Sequence, residues 1–214
     1  MFLKICGITR LVDARHAVEH GATALGFVLW PKSPRFVSNR KVAEIVAALP
    51  GVVSVGVFVN QPPELIALTM EETGLTTIQL HGDEPAAGAG ALRWPILRSV
   101  TLDSVDEVVE AWPKETTFLI DASDPVRRGG TGQAVDWTRA AKLAQRRNVI
   151  LAGGLSPDNV AEAIAAVQPY GVDVSSGVED APGLKNWAKV RAFLTRARLA
   201  AAEFEDQERR KRMH

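Results

Sequence analysis

The sequence predicts a single (β/α)8 barrel domain, and three observations lead to this fold class. Short apolar runs alternate with segments of helical period along nearly the whole chain. The runs show no strict polar–apolar alternation, as expected for strands buried on both faces of a parallel sheet. The chain has 214 residues, which suits a barrel of ~200–250 residues folded as one domain. An open doubly wound sheet is the alternative, but no Gly-rich dinucleotide fingerprint follows the first strand.

Eight apolar runs are the predicted strands. They are Phe2–Ile8, Ala24–Trp30, Val53–Asn60, Thr77–Gly82, Ile96–Thr101, Thr117–Ala122, Val149–Leu155 and Gly171–Gly177. Alternation of strands with helices requires a parallel sheet with helical crossovers. Eight repeats in so short a chain favour closure into a barrel over an open sheet.

Amphipathic segments between these runs predict helices. The clearest are Arg40–Leu49, Pro63–Glu72, Ser104–Trp112, Trp137–Arg147 and Asn159–Val167. Start signals accompany two of them, Pro62-Pro63-Glu64 and Ser156-Pro157-Asp158-Asn159. The segment Asp83–Ala91 is rich in Ala and Gly, so we expect a short or irregular helix there.

The end of the chain predicts a long helix followed by a charged tail. We place the catalytic barrel domain at residues 1–202 and the tail at residues 203–214. The run Arg209-Arg210-Lys211-Arg212 would be a nucleic-acid patch on one interpretation. A solvated, frayed terminus is favoured, since acidic residues precede the run and four charges are too few for such a patch.

Composition excludes several classes of partner. The 25 basic and 25 acidic residues cancel, so no net field attracts nucleic acid or a membrane surface. The apolar runs are far shorter than the ~20 residues of a membrane-spanning helix, and the chain begins in an apolar strand without a leader pattern. One cysteine cannot form an internal disulfide, and this predicts a reducing, cytoplasmic location.

Polar residues and glycines at the carboxyl ends of the predicted strands are candidates for the active site, because barrels of this kind place it there. In strand order they are Cys6 and Thr9; Lys32, Ser33 and Arg35; Asn60; His81; Asp121; Gly153 and Gly154; and Ser175, Ser176 and Gly177.

The ends of strands 7 and 8 predict a phosphate site. Gly153 and Gly154 let backbone amides approach a ligand without a Cβ in the way. The Ser175-Ser176-Gly177 segment offers two hydroxyls and further amides before an expected helical turn at Val178-Glu179-Asp180. Such a constellation binds a phosphate dianion well. The alternative is that these glycines only turn the chain.

Cys6 and Asp121 are candidates for acid–base chemistry. A buried cysteine is more often a small hydrophobe, but Cys6 lies at the mouth of strand 1. Asp121 follows an apolar run and should emerge at the same mouth, although a loop-capping role is the alternative. A thiol and a carboxyl on strands 1 and 6 could approach a sugar from opposite sides.

Two basic features are less specific. Arg35 could bind an anion through its planar fork, or form a surface salt bridge. The loop Ser123–Val135 contains Arg127-Arg128-Gly129-Gly130-Thr131-Gly132, but lacks the nucleotide phosphate-loop pattern. We interpret it as a flexible active-site loop.

The combination of motifs resembles the phosphoribosylanthranilate isomerase family over about residues 2–195. Two residues depart from the family pattern, Gln133 and Asn186, where Lys and Asp are expected. The motifs that carry the resemblance are Lys4-Ile5-Cys6-Gly7-Ile8-Thr9, Gly26-Phe27-Val28, Pro31-Lys32-Ser33-Pro34-Arg35, Val55-Gly56-Val57-Phe58-Val59-Asn60, Gln79-Leu80-His81-Gly82, Gly129-Gly130-Thr131-Gly132, Asp136-Trp137, Leu151-Ala152-Gly153-Gly154-Leu155 and Val172-Asp173-Val174-Ser175-Ser176-Gly177-Val178-Glu179.

The resemblance implies a TIM barrel of the ribulose-phosphate-binding type and an enzyme of tryptophan biosynthesis. The implied reaction is the Amadori rearrangement of phosphoribosylanthranilate, with Asp121 as general acid and Cys6 as general base and with no cofactor or metal. Arg35 would pair with the anthranilate carboxylate. The resemblance implies a monomer or a homodimer. The remaining residues assigned to substrate binding are His81, Gly153, Gly154, Asp173, Ser175, Ser176 and Gly177.

Three other functions are weighed against this one. A sugar-phosphate isomerase of histidine biosynthesis should carry a carboxylate in place of Cys6 and two similar phosphate motifs. A cysteine-nucleophile enzyme needs a His–Asn or His–Asp partnership, and only His81 is at hand. A non-catalytic barrel that binds phosphorylated metabolites would have no reason to keep both Cys6 and Asp121.

Overall fold

A computed structural model of the chain describes residues 1–103, 105–121 and 136–212. Eight strands form a closed, all-parallel barrel in the order β1 to β8, with β8 paired to β1. This confirms the predicted fold and excludes the open sheet. The strands are β1 Phe2–Ile5, β2 Ala24–Val28, β3 Val53–Phe58, β4 Thr77–Leu80, β5 Ile96–Val100, β6 Thr117–Ile120, β7 Val149–Leu151 and β8 Gly171–Val174.

Each observed strand begins at the predicted residue, but each ends one to four residues earlier than predicted. The chain stays apolar beyond the ladder because the loops at the mouth remain buried. Ile8, for example, lies beyond β1 yet is fully buried, and its amide still donates to the Gly26 carbonyl at 2.9 Å. The apolar runs therefore predicted burial correctly but overestimated the length of each strand.

Helices follow the strands on the outside of the barrel. They are α1 Leu11–Glu19, α2 Asn39–Ala47, α3 Pro63–Thr73, α4 Ala86–Ala89, α5 Val105–Ala111, α6 Trp137–Ala144, α7 Val160–Val167 and α8 Trp187–Arg212. The short α4 confirms the expectation for the Ala- and Gly-rich segment. Among the described residues, no helix combines the length and apolarity needed to cross a membrane.

Local signals explain where two of the helices begin and end. Helix α3 begins with Pro63, whose missing N–H costs nothing at that position, and ends before Gly74 in the left-handed conformation (φ 71°). Helix α6 is capped by Asp136, whose carboxylate accepts from the amides of Thr138 and Arg139 at 3.0 and 3.2 Å.

The segment after β8 corrects one prediction. The expected helical turn at 178–180 lies earlier, as a 3-10 turn at Ser176–Val178. Glu179 and Asp180 belong instead to strand β9 (Glu179–Ala181), which pairs antiparallel with β10 (Leu184–Lys185). The hairpin brings Glu179 and Lys185 together next to Ser175, directly after β8, and both side chains are buried.

The C-terminal helix continues into the predicted tail. Helix α8 runs to Arg212, so residues 203–212 are helical rather than frayed. The domain boundary at residue 202 therefore does not coincide with a break in secondary structure, and it stays a prediction.

Two apolar clusters fill the molecule, one between the barrel and its helices and one inside the barrel. The inner cluster takes one or two residues from each of several strands. Residues two apart on a strand share a face. Leu119 lies in the inner cluster, so Asp121 is directed to the interior as well. The inner cluster consists of Ala24, Val55, Leu97, Leu119, Ile150 and Ala152.

Candidate active site

A cleft at the carboxyl ends of the strands collects nine of the ten residues assigned a catalytic or substrate-binding role, with Gly177 the exception. Of the other strand-end candidates, Ser33 lines the cleft, whereas Thr9, Lys32 and Asn60 are not part of its lining. Five strands or the loops after them contribute polar side chains, the loop after β7 contributes two glycines, and apolar side chains form the walls. The residues lining it are Cys6, Val28, Trp30, Ser33, Arg35, Val57, Val59, Gln79, His81, Asp121, Ala152, Gly153, Gly154, Leu155, Asp173, Val174, Ser175 and Ser176.

Cys6 lies one residue beyond β1 and is held there by its backbone. Its amide donates to the Val174 carbonyl at 2.8 Å, and Lys185 Nζ donates to its carbonyl. A Cβ on Gly26 would lie 2.7 Å from Cys6 Sγ, so only glycine at that position leaves room for the thiol. Burial raises the pKa of the Cys6 thiol, and the positive charges of Lys4 and Lys185 oppose that rise.

The raised pKa of Cys6 predicts slow reaction with iodoacetamide near neutral pH, since the thiolate is the nucleophile. Because Cys6 is the only cysteine, mass spectrometry of the alkylated chain reports on this residue alone. We expect the rate to reach half its maximum at a higher pH in the folded chain than in the same chain unfolded in urea. Equal midpoints, or a lower one in the folded chain, would contradict a desolvated thiol.

Lys4 was missed as a site residue in the sequence. Its side chain is fully buried inside the barrel, and Nζ forms an ion pair with Asp173 Oδ2 at 3.0 Å. Burial lowers the pKa of Lys4, but Asp173 and Cys6 outweigh it and raise the pKa overall. The signal was available: a lysine in an apolar strand, two residues before Cys6, must share its face.

Asp121 faces His81 across the cleft. Asp121 Oδ2 lies 3.8 Å from His81 Nε2, too far for a direct hydrogen bond. Gln79 Nε2 lies 3.1 Å from His81 Nδ1, and with the amide donating, the ring proton resides on Nε2 and faces Asp121. Burial lowers the pKa of His81, against the opposing effect of Asp121. The imidazole is therefore a neutral neighbour of the carboxyl group.

Arg35 reaches the cleft while paired with Glu179, so the salt-bridge alternative holds, though with a buried partner. Its Nε and Nη2 both donate to the carboxylate, at 3.0 and 2.7 Å to different oxygens. Lys185 Nζ also donates to Glu179 at 2.7 Å. Burial raises the pKa of Glu179, but Arg35 and Lys185 outweigh it and lower the pKa overall. Arg35 Nη1 bonds to no described residue, which leaves one edge of the guanidinium for a ligand.

Gly153 and Gly154 form a turn that requires glycine. Both have positive φ, 71° and 68°, which L side chains rarely adopt. Asn159 braces this turn: its Nδ2 donates to the Gly154 carbonyl at 2.9 Å, and its Oδ1 accepts from the Ser156 amide at 2.8 Å. The start signal seen in the sequence for α7 thus also fixes the shape of the loop after β7.

Gly177 lies outside the cleft lining, and its glycine has a packing role. A Cβ there would collide with the Leu155 carbonyl oxygen, so the loop after β8 can pack on the loop after β7 only with glycine at this position. A part in ligand binding through its backbone stays a prediction.

Three buried polar atoms of the cleft bond to no described protein group. They belong to side chains on β4, on β8 and directly after β8, and buried polar atoms normally have a partner. The cleft therefore offers hydrogen bonds to a polar ligand. The atoms are Gln79 Oε1, Asp173 Oδ1 and Ser175 Oγ.

Of the two departures from the family pattern, Asn186 has a clear role. Its Oδ1 accepts from the Lys189 amide at 2.9 Å and its Nδ2 donates to Asp180 at 2.8 Å. Asn caps a helix as well as Asp does, so the start of α8 is preserved. Gln133, Arg127, Arg128 and the glycines of the loop 123–135 lie outside the described residues.

Comparison with known proteins supports one family. The family model described as N-(5'phosphoribosyl)anthranilate (PRA) isomerase matches residues 3–196. The N-(5'-phosphoribosyl)anthranilate isomerase of Citrifermentans bemidjiense is 44% identical over 201 residues, which cover 93% of this chain and 98% of the relative.

Solved structures agree with the sequence comparison. The phosphoribosyl anthranilate isomerase from Thermotoga maritima is 38% identical with a TM-score of 0.86, over 92% of this chain and 98% of that one. A further structure shows monomers generated from the dimeric T. maritima enzyme (37% identity, TM-score 0.83, the same coverage). A complex of the isomerase with reduced 1-(o-carboxyphenylamino)-1-deoxyribulose 5-phosphate is 37% identical with a TM-score of 0.82, over 92% and 98%.

The closed barrel, the cleft at its carboxyl end and these matches over nearly the whole length point to one conclusion. The chain belongs to the N-(5'-phosphoribosyl)anthranilate isomerase family, isomerases of tryptophan biosynthesis.

Proposed function

We propose that the chain converts N-(5-phosphoribosyl)anthranilate to 1-(2-carboxyphenylamino)-1-deoxy-D-ribulose 5-phosphate by an Amadori rearrangement, with Asp121 as general acid and Cys6 as general base. The observation that carries the proposal is that a thiol on the β1 side and a carboxyl on the β6 side line one cleft. A glycine turn suited to phosphate lines the same cleft.

Asp121 would supply the first proton. Its carboxyl group protonates the ring oxygen of the ribose, the bond between C1 and that oxygen breaks, and C1 becomes the carbon of an iminium. In the described part of the cleft, the neutral imidazole of His81 borders this carboxyl group, with Nε2 3.8 Å from Oδ2. A general acid is protonated before the step and ionised after it.

Cys6 would then remove the proton from C2. The adjacent iminium makes this C–H bond acidic, so the electrons of the bond form an enolamine. The enolamine gains a proton at C1 and loses that of the C2 hydroxyl, which gives the ketone. Burial disfavours the thiolate, whereas the Lys4 ammonium favours it. The iminium adds a further positive charge at the moment when the base is needed.

The remaining residues would hold the substrate. The free edge of Arg35 suits the anthranilate carboxylate. Gly153, Gly154 and the hydroxyls of Ser175 and Ser176 suit the phosphate, since backbone amides and hydroxyls bind a dianion without a fixed counter-charge. Asp173 Oδ1, which is buried and bonds to no described protein group, suits a ribose hydroxyl. A backbone amide of Gly177 would complete the phosphate site.

The proposal is tested by incubating the purified chain with N-(5-phosphoribosyl)anthranilate and following the loss of substrate fluorescence. We expect turnover without added metal or cofactor. Fluorescence loss no faster than in the absence of protein would overturn the assignment of this reaction.

Replacing Gly154 with valine should weaken phosphate binding through the bulk of the new side chain alone. We expect kcat/KM to fall by at least about tenfold, or ~1.4 kcal/mol, because remote phosphate binding holds the sugar in reactive geometry. Inorganic sulfate should compete with substrate in the original chain and much less in Gly154→Val. Steady-state kinetics with and without sulfate measure both kcat/KM and the strength of inhibition by sulfate.

Gly74→Val is the matched control for backbone strain. Gly74 has nearly the same φ, 71°, and a Cβ there meets only one atom, at 3.7 Å, at the end of α3 and outside the cleft lining. It should lose stability like Gly154→Val but keep its kcat/KM and its inhibition by sulfate. If sulfate soaked into a crystal binds Arg127 and Arg128 instead of the ends of β7 and β8, the phosphate site is misplaced.

The oligomeric state of the chain and its cellular location stay predictions. A homodimer is compatible with the dimeric T. maritima relative and a monomer with the monomers generated from it. Sedimentation of the purified chain separates the two. The cytoplasm is the compartment in which the reduced Cys6 thiol would persist.

A further inference from the structure

We propose that the face of α1 beside the start of α8 carries a binding site for a divalent transition-metal ion, zinc by preference, with His16, Glu19 and His20 as ligands. One ring nitrogen of each histidine and a carboxylate oxygen of Glu19 lie within 4.8 Å of one another. Residues three and four apart share a helix face, and the spacing H-x-x-E-H also occurs on zinc-binding helices. The isomerase reaction makes no use of this site.

Hydrogen bonds prepare both imidazoles for a metal. His16 Nε2 lies 2.9 Å from the Trp187 carbonyl oxygen, and His20 Nδ1 lies 2.8 Å from the His16 carbonyl oxygen. A carbonyl oxygen can only accept, so these two nitrogens carry the protons. In the neutral rings His16 Nδ1 and His20 Nε2 therefore hold the lone pairs. Metal-binding histidines typically donate their second nitrogen in this way.

Packing against α8 fixes the position of the first ligand. The Trp187 ring stacks on His16 with 4.8 Å between centroids and 13° between planes, and Trp187 Nε1 donates to Asp13 Oδ1 at 2.8 Å. The His20 ring lies 4.1 Å from the His16 ring. Little side-chain freedom remains to be lost when an ion binds, and the bound ion would strengthen the junction of α1 and α8.

The donor set selects the class of ion. Two imidazoles and one carboxylate match the three protein ligands of many zinc sites that keep water in the fourth position. Mg²⁺ and Ca²⁺ prefer oxygen ligands throughout, so neither should bind here. Both histidines are half-buried and Glu19 is exposed, which leaves an entry path from solvent.

The test uses the full chain without a histidine tag and zinc titrated against a chromophoric chelator. We expect one high-affinity zinc ion per chain. His20→Gln should weaken it by at least about 100-fold, because the loss of a direct ligand should cost no less than the loss of an outer-shell partner, which costs about 10–100-fold. His81→Asn is the matched control, since it removes a histidine from the cleft instead, and it should keep the affinity of the original chain.

Glu19→Gln guards against a folding artefact, because Glu19 is exposed and bonds to no described side chain; it should also weaken zinc binding. Co²⁺ in place of zinc should show ligation by nitrogen and oxygen without a thiolate charge-transfer band. Unchanged affinity in His20→Gln, loss of affinity in His81→Asn, or a thiolate band from Cys6 would each overturn the proposed site.

Discussion

Serine in place of Cys6 is expected to lower kcat by about 10²–10⁴-fold, the usual contribution of a general base. This loss corresponds to about 3–5 kcal/mol of transition-state stabilisation. A hydroxyl has the size of the thiol but is a far poorer base near neutral pH. KM should change little, because Cys6 acts on the chemical step and the phosphate and carboxylate contacts remain.

Cys6→Ala separates the base role from packing. The two hydrogen bonds that hold Cys6 in place use its backbone, which neither change alters. Both variants should therefore fold, with unfolding midpoints close to that of the original chain. Both lack the thiol, so both should be similarly inactive. Turnover of Cys6→Ser within about tenfold of the original chain would remove Cys6 from the base role.

The sequence predicted the barrel well because periodicity and burial are local properties. The starts of all eight strands agree with the structure, and five of the eight apolar runs directly follow a Thr, Pro or Asn residue, namely Thr23, Thr76, Pro95, Thr116 and Asn148. The ends do not, because loop residues such as Ile8 are as buried as strand residues. A boundary set by hydrogen-bond register rather than by burial leaves little trace in a single sequence.

The cleft was predicted in outline because the barrel places all carboxyl strand ends at one face. What the sequence missed are contacts between distant segments. The pairing of Arg35 with Glu179 spans 144 positions and depends on the β9–β10 hairpin, whose short strands carry no clear period. Lys4 is a different case, since its place two residues before Cys6 in a buried strand was a readable signal.

Asparagine in place of Asp121 should also lower kcat by about 10²–10⁴-fold. The amide has the shape of the carboxyl group, so it should leave the wall of the cleft and its packing beside His81 intact. It cannot deliver a proton to the ring oxygen. KM should stay close to that of the original chain, because the change acts on ring opening and leaves the phosphate and carboxylate contacts in place.

Asp158→Asn controls for the loss of an acidic group near the cleft. Asp158 lies in the loop after β7, is largely exposed and pairs with Arg196 at 2.8 Å, so its replacement should leave kcat unchanged. The double variant Cys6→Ser/Asp121→Asn adds a second check. If the two residues act in successive steps of one proton-transfer sequence, its loss should fall well short of the product of the single losses. A loss below about tenfold, or ~1.4 kcal/mol, for Asp121→Asn alone would mean that the ring opens without an acid, and Asp121 would then have no catalytic role.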